Sequence, residues 1–140
     1  MKIVIQYCFS VCFLILTVNA NAQILITHPD NNASQLSKNS VRSIFAMRTP
    51  HWPDGSPIQV FVLDDQTPIH ISFCKHLLGM FPYQLRRVWD RQVFSGTGIA
   101  PVTVDTEQEM IEKVASTPGA IGYIMPQNMT SSIKVIGAQL

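Results

Sequence analysis

The segment TPGAIGY, residues 117–123, decides how this chain folds. Its first three residues predict a sharp turn, because proline restricts its own backbone and glycine tolerates conformations that other residues avoid. The apolar run that follows, residues 120–125, is typical of a buried strand. Just upstream, Thr106 and Glu109 have the spacing of a capping box that starts an amphipathic helix. Helix, tight turn and buried strand therefore follow one another, as they do in α/β domains.

The rest of the chain repeats this alternation. Short apolar runs predict further strands at residues 24–27, 58–63 and 133–136. Helices are predicted after Ser37 and after Thr67, whose hydroxyls can cap a first turn, and from Pro82 onward. In the helix from Pro82 the residues expected to face inward are Leu85, Val88, Trp89 and Val93. This order predicts an α/β fold with helices packed on a small mixed sheet.

Length and composition limit the class of protein. The chain has 140 residues, 46% of them hydrophobic and 14% charged, which excludes a disordered chain and leaves room for one domain. Its formal net charge of +1 offers no basic surface for nucleic acid, so we expect no nucleic-acid partner.

Residues 1–22 have the pattern of a cleaved signal peptide. Lys2 is followed by an apolar run over residues 7–18 and then by the small-x-small triplet that ends at Ala22. The run is shorter and more interrupted than a membrane span requires, so cleavage is the favoured interpretation. We therefore predict an exported, periplasmic protein whose single domain comprises residues 23–140. Of the three cysteines only Cys74 would remain, so no intramolecular disulfide is expected.

Three segments together resemble a known family. They are IF at residues 44–45 followed by Trp52, FSGTG at residues 94–98 followed by Pro101, and TPGAIGY. The chain resembles the periplasmic phosphate-binding proteins of phosphate ABC transporters, and most closely a short, one-lobed group of substrate-binding-like proteins. The resemblance implies a single lobe of the type 2 periplasmic-binding-protein fold, no catalysis, no cofactor, and capture of an oxyanion by loop hydroxyls and helix N-terminal amides.

The family's anion ligands are carried over only in part. In full-length phosphate binders the strand corresponding to residues 58–63 ends in an arginine, and Ser-Gly-Thr starts the next helix. This chain has Leu63 at the arginine position and Thr67, Pro68 and Ile69 over the Ser-Gly-Thr. Only Thr67 keeps a hydroxyl, since proline has no N–H and isoleucine no hydroxyl.

The start of the helix after Thr67 is nevertheless the candidate binding site. Thr67 and the main-chain amides of Ile69 and His70 would hold the anion, because a helix N-terminus offers unpaired N–H groups and partial positive charge. Ser37 would add a second hydroxyl-bearing edge. The alternative is that Thr67 and Ser37 are ordinary helix caps.

Two carboxylates complicate this site. Asp64 and Asp65 would repel a dianion unless they accept its remaining proton or pair with a cation. The candidate cations for that pairing are Arg42, Arg48 and His70.

Other groups permit further interpretations. His70 and Cys74 are four residues apart, with His76 nearby, which permits a metal site, a Cys-His nucleophile or a buried thiol, and the buried thiol is the favoured interpretation. A stripe of Arg86, Arg87 and Arg91 fits an acidic partner or lipid headgroups, or it is a solvated helix face. Neither Trp52 nor Tyr123 can be assigned to ligand stacking or to packing from sequence.

The sequence therefore predicts an exported, non-enzymatic binding protein. Its ligand would be inorganic phosphate or a similar oxyanion, delivered to a membrane transporter. The alternative is an interaction module whose anion site has decayed and which contacts a membrane sensor, transporter or porin.

Overall fold

A computed structural model describes residues 22–139 of the chain. The signal-peptide prediction for residues 1–22 falls, apart from Ala22, outside this range and stays a prediction, as does the assignment of residues 23–140 to one domain. Within the described range the chain builds one six-stranded mixed sheet flanked by helices.

The strands are β1 (Ile24–Thr27), β2 (Gln35–Ser37), β3 (Gln59–Leu63), β4 (Val102–Val104), β5 (Ala120–Ile124) and β6 (Lys134–Gln139). The helices are α1 (Lys38–Phe45), α2 (Pro68–Phe73), α3 (Pro82–Ser95) and α4 (Glu107–Ser116). A π-helical turn, Cys74–Leu78, continues α2 without a break, and a short 3-10 turn, Pro126–Asn128, follows β5.

The strand order is β2-β6-β1-β5-β3-β4. Parallel pairing joins β3 to β4, β3 to β5 and β2 to β6, whereas β1 is antiparallel to both β5 and β6. Every strand except β1 therefore points its carboxyl end toward the same edge of the sheet, which we call the carboxyl edge. Because α1, α2 and α4 directly follow β2, β3 and β4, all three helices begin at that edge.

The strands predicted around residues 24–27, 58–63, 120–125 and 133–136 are confirmed, with the last one extending to Gln139. The three-residue edge strands β2 and β4 were not predicted. Each has two exposed residues out of three, so neither carries the buried pattern that identifies a strand in sequence. Their pairing with β6 and β3 makes them strands.

The core lies between the sheet and the helices. Phe45 of α1, Phe73 of α2 and Tyr123 of β5 form an aromatic cluster, in which Phe73 and Tyr123 stack with ring centroids 3.8 Å apart. Trp89 of α3 is buried and donates its indole N–H to the carbonyl of Phe45 at 2.7 Å. Val93, expected to face inward, is exposed, because it lies in the last turn of α3 where the helix leaves the core.

The quoted segment TPGAIGY makes its turn at Gly119, where φ is 77°. The carbonyl of Gly119 accepts the indole N–H of Trp52 at 3.0 Å, so two of the three family-like segments meet in space. A Cβ atom at Gly122 would collide with the Met110 side chain, and this glycine therefore permits the close approach of α4 to β5. Both Trp52 and Tyr123 are buried, so they serve packing.

Candidate functional site

The loop between β3 and α2 lies at the carboxyl edge and is built by short-range hydrogen bonds. Asp64 Oδ1 accepts the N–H of Gln66 at 2.9 Å, and the Asp64 carbonyl accepts the N–H of Thr67 at 3.0 Å. This Asx-type turn delivers Thr67 to the N-cap of α2, with Pro68 in the first helical turn as predicted.

The hydroxyl of Thr67 both donates and accepts a hydrogen bond within the protein. It donates to the Asp64 carbonyl at 2.8 Å and accepts the N–H of His70 at 3.3 Å. Of the two amides predicted to bind an anion, that of His70 is therefore engaged by the cap. No described residue accepts the amide of Ile69, so this donor still faces outward at the start of α2.

Asp65 is paired with a cation that sequence reasoning did not consider. Arg86 of α3 reaches across with a bidentate contact, Nε to Oδ2 at 3.0 Å and Nη2 to Oδ1 at 2.9 Å. The hydrogen bonds and charge of Asp65 raise the pKa of Arg86. Nε2 of His70, one of the predicted partners, lies 3.5 Å from Asp65 Oδ1. The sequence identified Arg86 only as a member of the basic stripe of α3, and nothing in that stripe indicated Asp65 as its partner.

His70 contributes its side chain to the core rather than to the edge. Its Nδ1 contacts the hydroxyl of Tyr123, and that hydroxyl also accepts the N–H of Leu63 at 2.9 Å. Burial lowers the pKa of His70, and burial raises the pKa of Tyr123, so both groups are neutral at pH 7. The hydroxyl then donates to Nδ1, which leaves the ring proton on Nε2, toward Asp65.

Cys74 is a buried thiol. Its Sγ lies 3.4 Å from His70 Nε2, but burial raises the pKa of Cys74 to about 12, so the thiolate that nucleophilic catalysis needs is not formed at neutral pH. The ring of His76 lies on the solvent side and contacts the Ser72 carbonyl at 2.9 Å. Within residues 22–139, no group of three His, Cys, Asp or Glu side chains is arranged to hold a metal ion.

Ser37 lies apart from this loop. It caps α1, where its Oγ accepts the N–H of Ser40 at 3.1 Å. Strands β2 and β3, which lead to Ser37 and to Thr67, are four positions apart in the sheet, a separation of roughly 19 Å. The two hydroxyls therefore do not contact one small anion together.

The start of α4, the third helix that begins at the carboxyl edge, is unsuited to an anion. The amide of Glu109 donates to Thr106 Oγ1 at 3.1 Å, and the carboxylate of Glu109 accepts the N–H of Asp105 at 2.9 Å. Glu107 adds a second carboxylate, which accepts the N–H of Met125 at 2.6 Å. These side chains cap the first turn of α4, and their carboxylates balance the partial positive charge at its start. The start of α2 is consequently the better place at this edge for an anion.

The basic stripe of α3 is divided in the structure. Arg86 pairs with Asp65 and lies over the ring of Trp89 at 5.0 Å, whereas Arg87 lies over the exposed ring of Tyr83 at 5.8 Å. Arg91 is exposed. One of the three cations, Arg86, is therefore paired with the loop described above.

The helices between residues 22 and 139 include none with the length and apolar character to cross a bilayer.

No protein-family model matches the chain, and no curated protein matches it significantly in sequence. Solved structures do match. One, described as a phosphate ABC transporter substrate-binding protein from Clostridium perfringens with bound phosphate, superposes with a TM-score of 0.68 at 18% identity, covering 83% of this chain and 44% of that one.

An ABC-type phosphate transport receptor from Vibrio cholerae gives a TM-score of 0.65 at 16% identity, over 83% of this chain and 45% of that one. PstS from Borrelia burgdorferi gives 0.65 at 19% identity, over 84% and 47%. The chain thus spans slightly less than half the length of these proteins. At such identities the likeness shows the fold alone: the chain shares the α/β fold of the matched part of these proteins, which confirms the predicted mixed sheet flanked by helices.

Proposed function

We propose that this chain is an exported, non-catalytic solute-binding domain that captures an oxyanion, phosphate or a close relative, at the start of α2. The observation that carries the proposal is the outward-facing amide of Ile69 at the carboxyl edge, in a fold shared with phosphate-binding proteins. Helix α2 continues through the π-helical turn to Leu78, so its peptide dipoles add over more than its first two turns.

The charge balance of the loop supports this assignment. Asp65 is neutralised by the bidentate contact from Arg86, so it does not add a free negative charge at the mouth of the site. Asp64 is exposed and uses one carboxylate oxygen within the turn. Its other oxygen can accept the proton of a protonated oxyanion.

This arrangement implies a preference among anions. Hydrogen phosphate carries a proton that it can donate to Asp64, whereas sulfate is fully ionised at neutral pH and would only be repelled. We therefore expect phosphate to bind more tightly than sulfate, and weakly overall, since the amide of Ile69 is the one predicted amide of this helix start that remains without a protein acceptor.

The test is a titration of the ¹⁵N-labelled mature chain with phosphate, followed amide by amide. The amide of Ile69 should shift with saturation at millimolar phosphate, whereas the amide of Glu109, capped by Thr106 at another helix start of the same edge, should not. Asp64→Asn keeps the acceptor of the turn but removes the charge, so it should bring sulfate close to phosphate in affinity. An Ile69 amide that does not respond, or responds no more than Glu109, would refute the proposal.

A transporter as recipient of the anion is part of the same proposal. The proteins with which this chain shares its fold are described as components of phosphate transport, and they are about twice its length.

The interaction module is the second candidate, and a specific observation favours it. Phe94 and Ile99, beside the glycine-containing loop after α3, are 91% and 81% exposed, and Phe81 stacks on Tyr83 at the other end of α3. A contiguous exposed apolar patch marks a contact surface, and Phe94 and Ile99 are the most exposed large hydrophobic side chains in the described range.

A membrane sensor, transporter or porin would be the partner of this module. This function would be selected if no anion binds and the chain captures a membrane protein. The capture should be lost in the variant Ile99→Asp and retained in the control variant Gln108→Asp.

A further inference from the structure

A basic cavity lies along α1, away from the α2 loop. It has a volume of about 340 Å³, and its polar lining consists of Asn39, Arg42, Ser43 and Arg48. Helix α1 begins at the carboxyl edge, so Arg42 in its last turn and Arg48 beyond it lie toward the opposite edge of the sheet.

The two arginines of this cavity have no counter-charge. Neither guanidinium group forms a hydrogen bond or an ion pair with any residue in the range 22–139. The lining contains no Asp or Glu side chain. The carboxyl end of α1 carries only about half a negative charge, which is less than the two positive charges beside it. The cavity therefore has an unbalanced positive charge and fork-shaped donors suited to an oxyanion.

A larger groove shares Arg48 with this cavity. It has a volume of about 740 Å³ and is lined by the loop after α1, the start of β3 and the loop after α3. Its apolar side chains include Ile58, Val60 and Ile99, and it too has no acidic residue in its lining. An anionic head at Arg48 would consequently have beside it a space without carboxylates, with apolar side chains together with polar ones such as His51, Gln59 and Gln92.

We propose that these two cavities form a single binding site for an organic phosphate monoester. The phosphate group would lie between Arg42 and Arg48, where its two charges match two guanidinium groups. The apolar body would lie in the groove against Ile58 and Ile99. This site is separate from the α2 loop in residues and in position, so it neither requires nor excludes oxyanion capture at Ile69.

Phenyl phosphate is the probe that tests the site, measured by calorimetry on the mature chain. Its affinity should be at least about tenfold higher than that of inorganic phosphate, which lacks the phenyl ring. The same difference is expected from phenol, which lacks the phosphate group. Arg42→Gln and Arg48→Gln should each weaken phenyl phosphate by about tenfold. Both side chains are exposed, so these variants should fold normally.

Two control variants and one variant in the groove separate the contributions of the arginines and of the apolar contact to phenyl phosphate affinity. Arg91→Gln removes an exposed arginine outside both cavities and should leave the affinity unchanged. Thr67→Ala disturbs the α2 loop and should also leave it unchanged. Ile99→Ser should weaken phenyl phosphate without affecting inorganic phosphate.

The proposal is overturned if the double variant of Arg42 and Arg48 binds phenyl phosphate as the wild type does. Equal affinity for phenyl phosphate and inorganic phosphate would likewise overturn it. Loss of phenyl phosphate binding on Thr67→Ala would place the ligand at the α2 loop instead.

Discussion

The hydroxyl of Tyr123 contacts Nδ1 of His70 and links β5 to α2 beneath the carboxyl edge. The same oxygen accepts the N–H of Leu63, the last residue of β3. One buried hydroxyl thus joins two strands and the helix whose first turn forms the candidate site. Position and orientation of that first turn depend on this junction, because His70 is only three residues beyond the cap at Thr67.

Tyr123→Phe should destabilise the protein although it changes a single atom. The substitution leaves the Leu63 N–H and His70 Nδ1 buried without their partner, and each such group costs about 1–3 kcal/mol. We expect the free energy of unfolding, measured by urea denaturation, to fall by about 2–4 kcal/mol. The matched control is Tyr83→Phe on the exposed face of α3, which should stay within about 0.5 kcal/mol of wild type.

Stability should decrease on mild acidification because of His70. Burial lowers its pKa in the folded protein, so the unfolded chain takes up a proton first as the pH falls through about 6.5. The contribution of His70 is therefore fully present above that pH and is lost below it, with a slope of at most about 1.4 kcal/mol per pH unit. Tyr123 and Cys74 are the titratable groups that contact the ring, and the charges that act on it are those of Asp65, Arg86 and Asp64.

Urea denaturation between pH 7.5 and 5 measures this slope. His70→Gln should be less stable than wild type at neutral pH but should lack the pH dependence. His76→Gln, which changes the exposed histidine of the same helical segment, should retain it. An unchanged slope in His70→Gln would show that other groups titrate in this range.

Gly119→Ala should be among the most damaging single changes in the chain. A Cβ atom there would overlap the carbonyl oxygen of Pro57, and the positive φ of 77° adds backbone strain. The turn would have to move, and the hydrogen bond from Trp52 would be disturbed. We expect a loss of about 3 kcal/mol or more in unfolding free energy.

Gly55→Ala separates the two causes of that loss. Gly55 also has a positive φ, 87°, but an alanine Cβ at this position would meet no atom within 4 Å beyond its chain neighbours, so only backbone strain applies. A loss of about 1–2 kcal/mol is expected for this variant. Equal losses at the two glycines would mean that the contact with Pro57 is relieved at little cost.

The pair formed by Asp65 and Arg86 should couple modestly. The side chains are 28% and 42% exposed, so water and salt screen them despite the bidentate geometry. A double-mutant cycle with Asp65→Asn and Arg86→Gln should give about 0.5–1.5 kcal/mol at low salt and less at 1 M salt. The same cycle with Arg91→Gln should give no coupling, since Arg91 lies outside the pair.

Features that depend on neighbours in sequence were predictable. The caps at Ser37 and Thr67 and the turn at Gly119 follow from local hydrogen bonding and backbone sterics, and the structure confirms all three. The apolar runs of the four predicted strands identify the buried strands for the same reason, since burial imposes a pattern on consecutive residues.

Features that depend on distant residues were not predictable. Arg86 lies 21 positions from Asp65, and its contact exists only because α3 packs beside the β3 loop. His70 was expected to offer an amide to a ligand, but packing against Tyr123 makes its ring part of the core. The exposed position of Val93 depends on where α3 leaves the core, which helical periodicity does not encode.

The sequence by itself therefore determined the alternation of strands and helices, the caps and the α/β class, because each follows from local sterics, hydrogen bonding and the periodicity of apolar residues. Only the tertiary structure decided which charges are balanced: it paired Asp65 with Arg86 and left Arg42 and Arg48 around one cavity without a carboxylate. Charge balance depends on distances in space between separate elements, and no spacing along the chain specifies those distances.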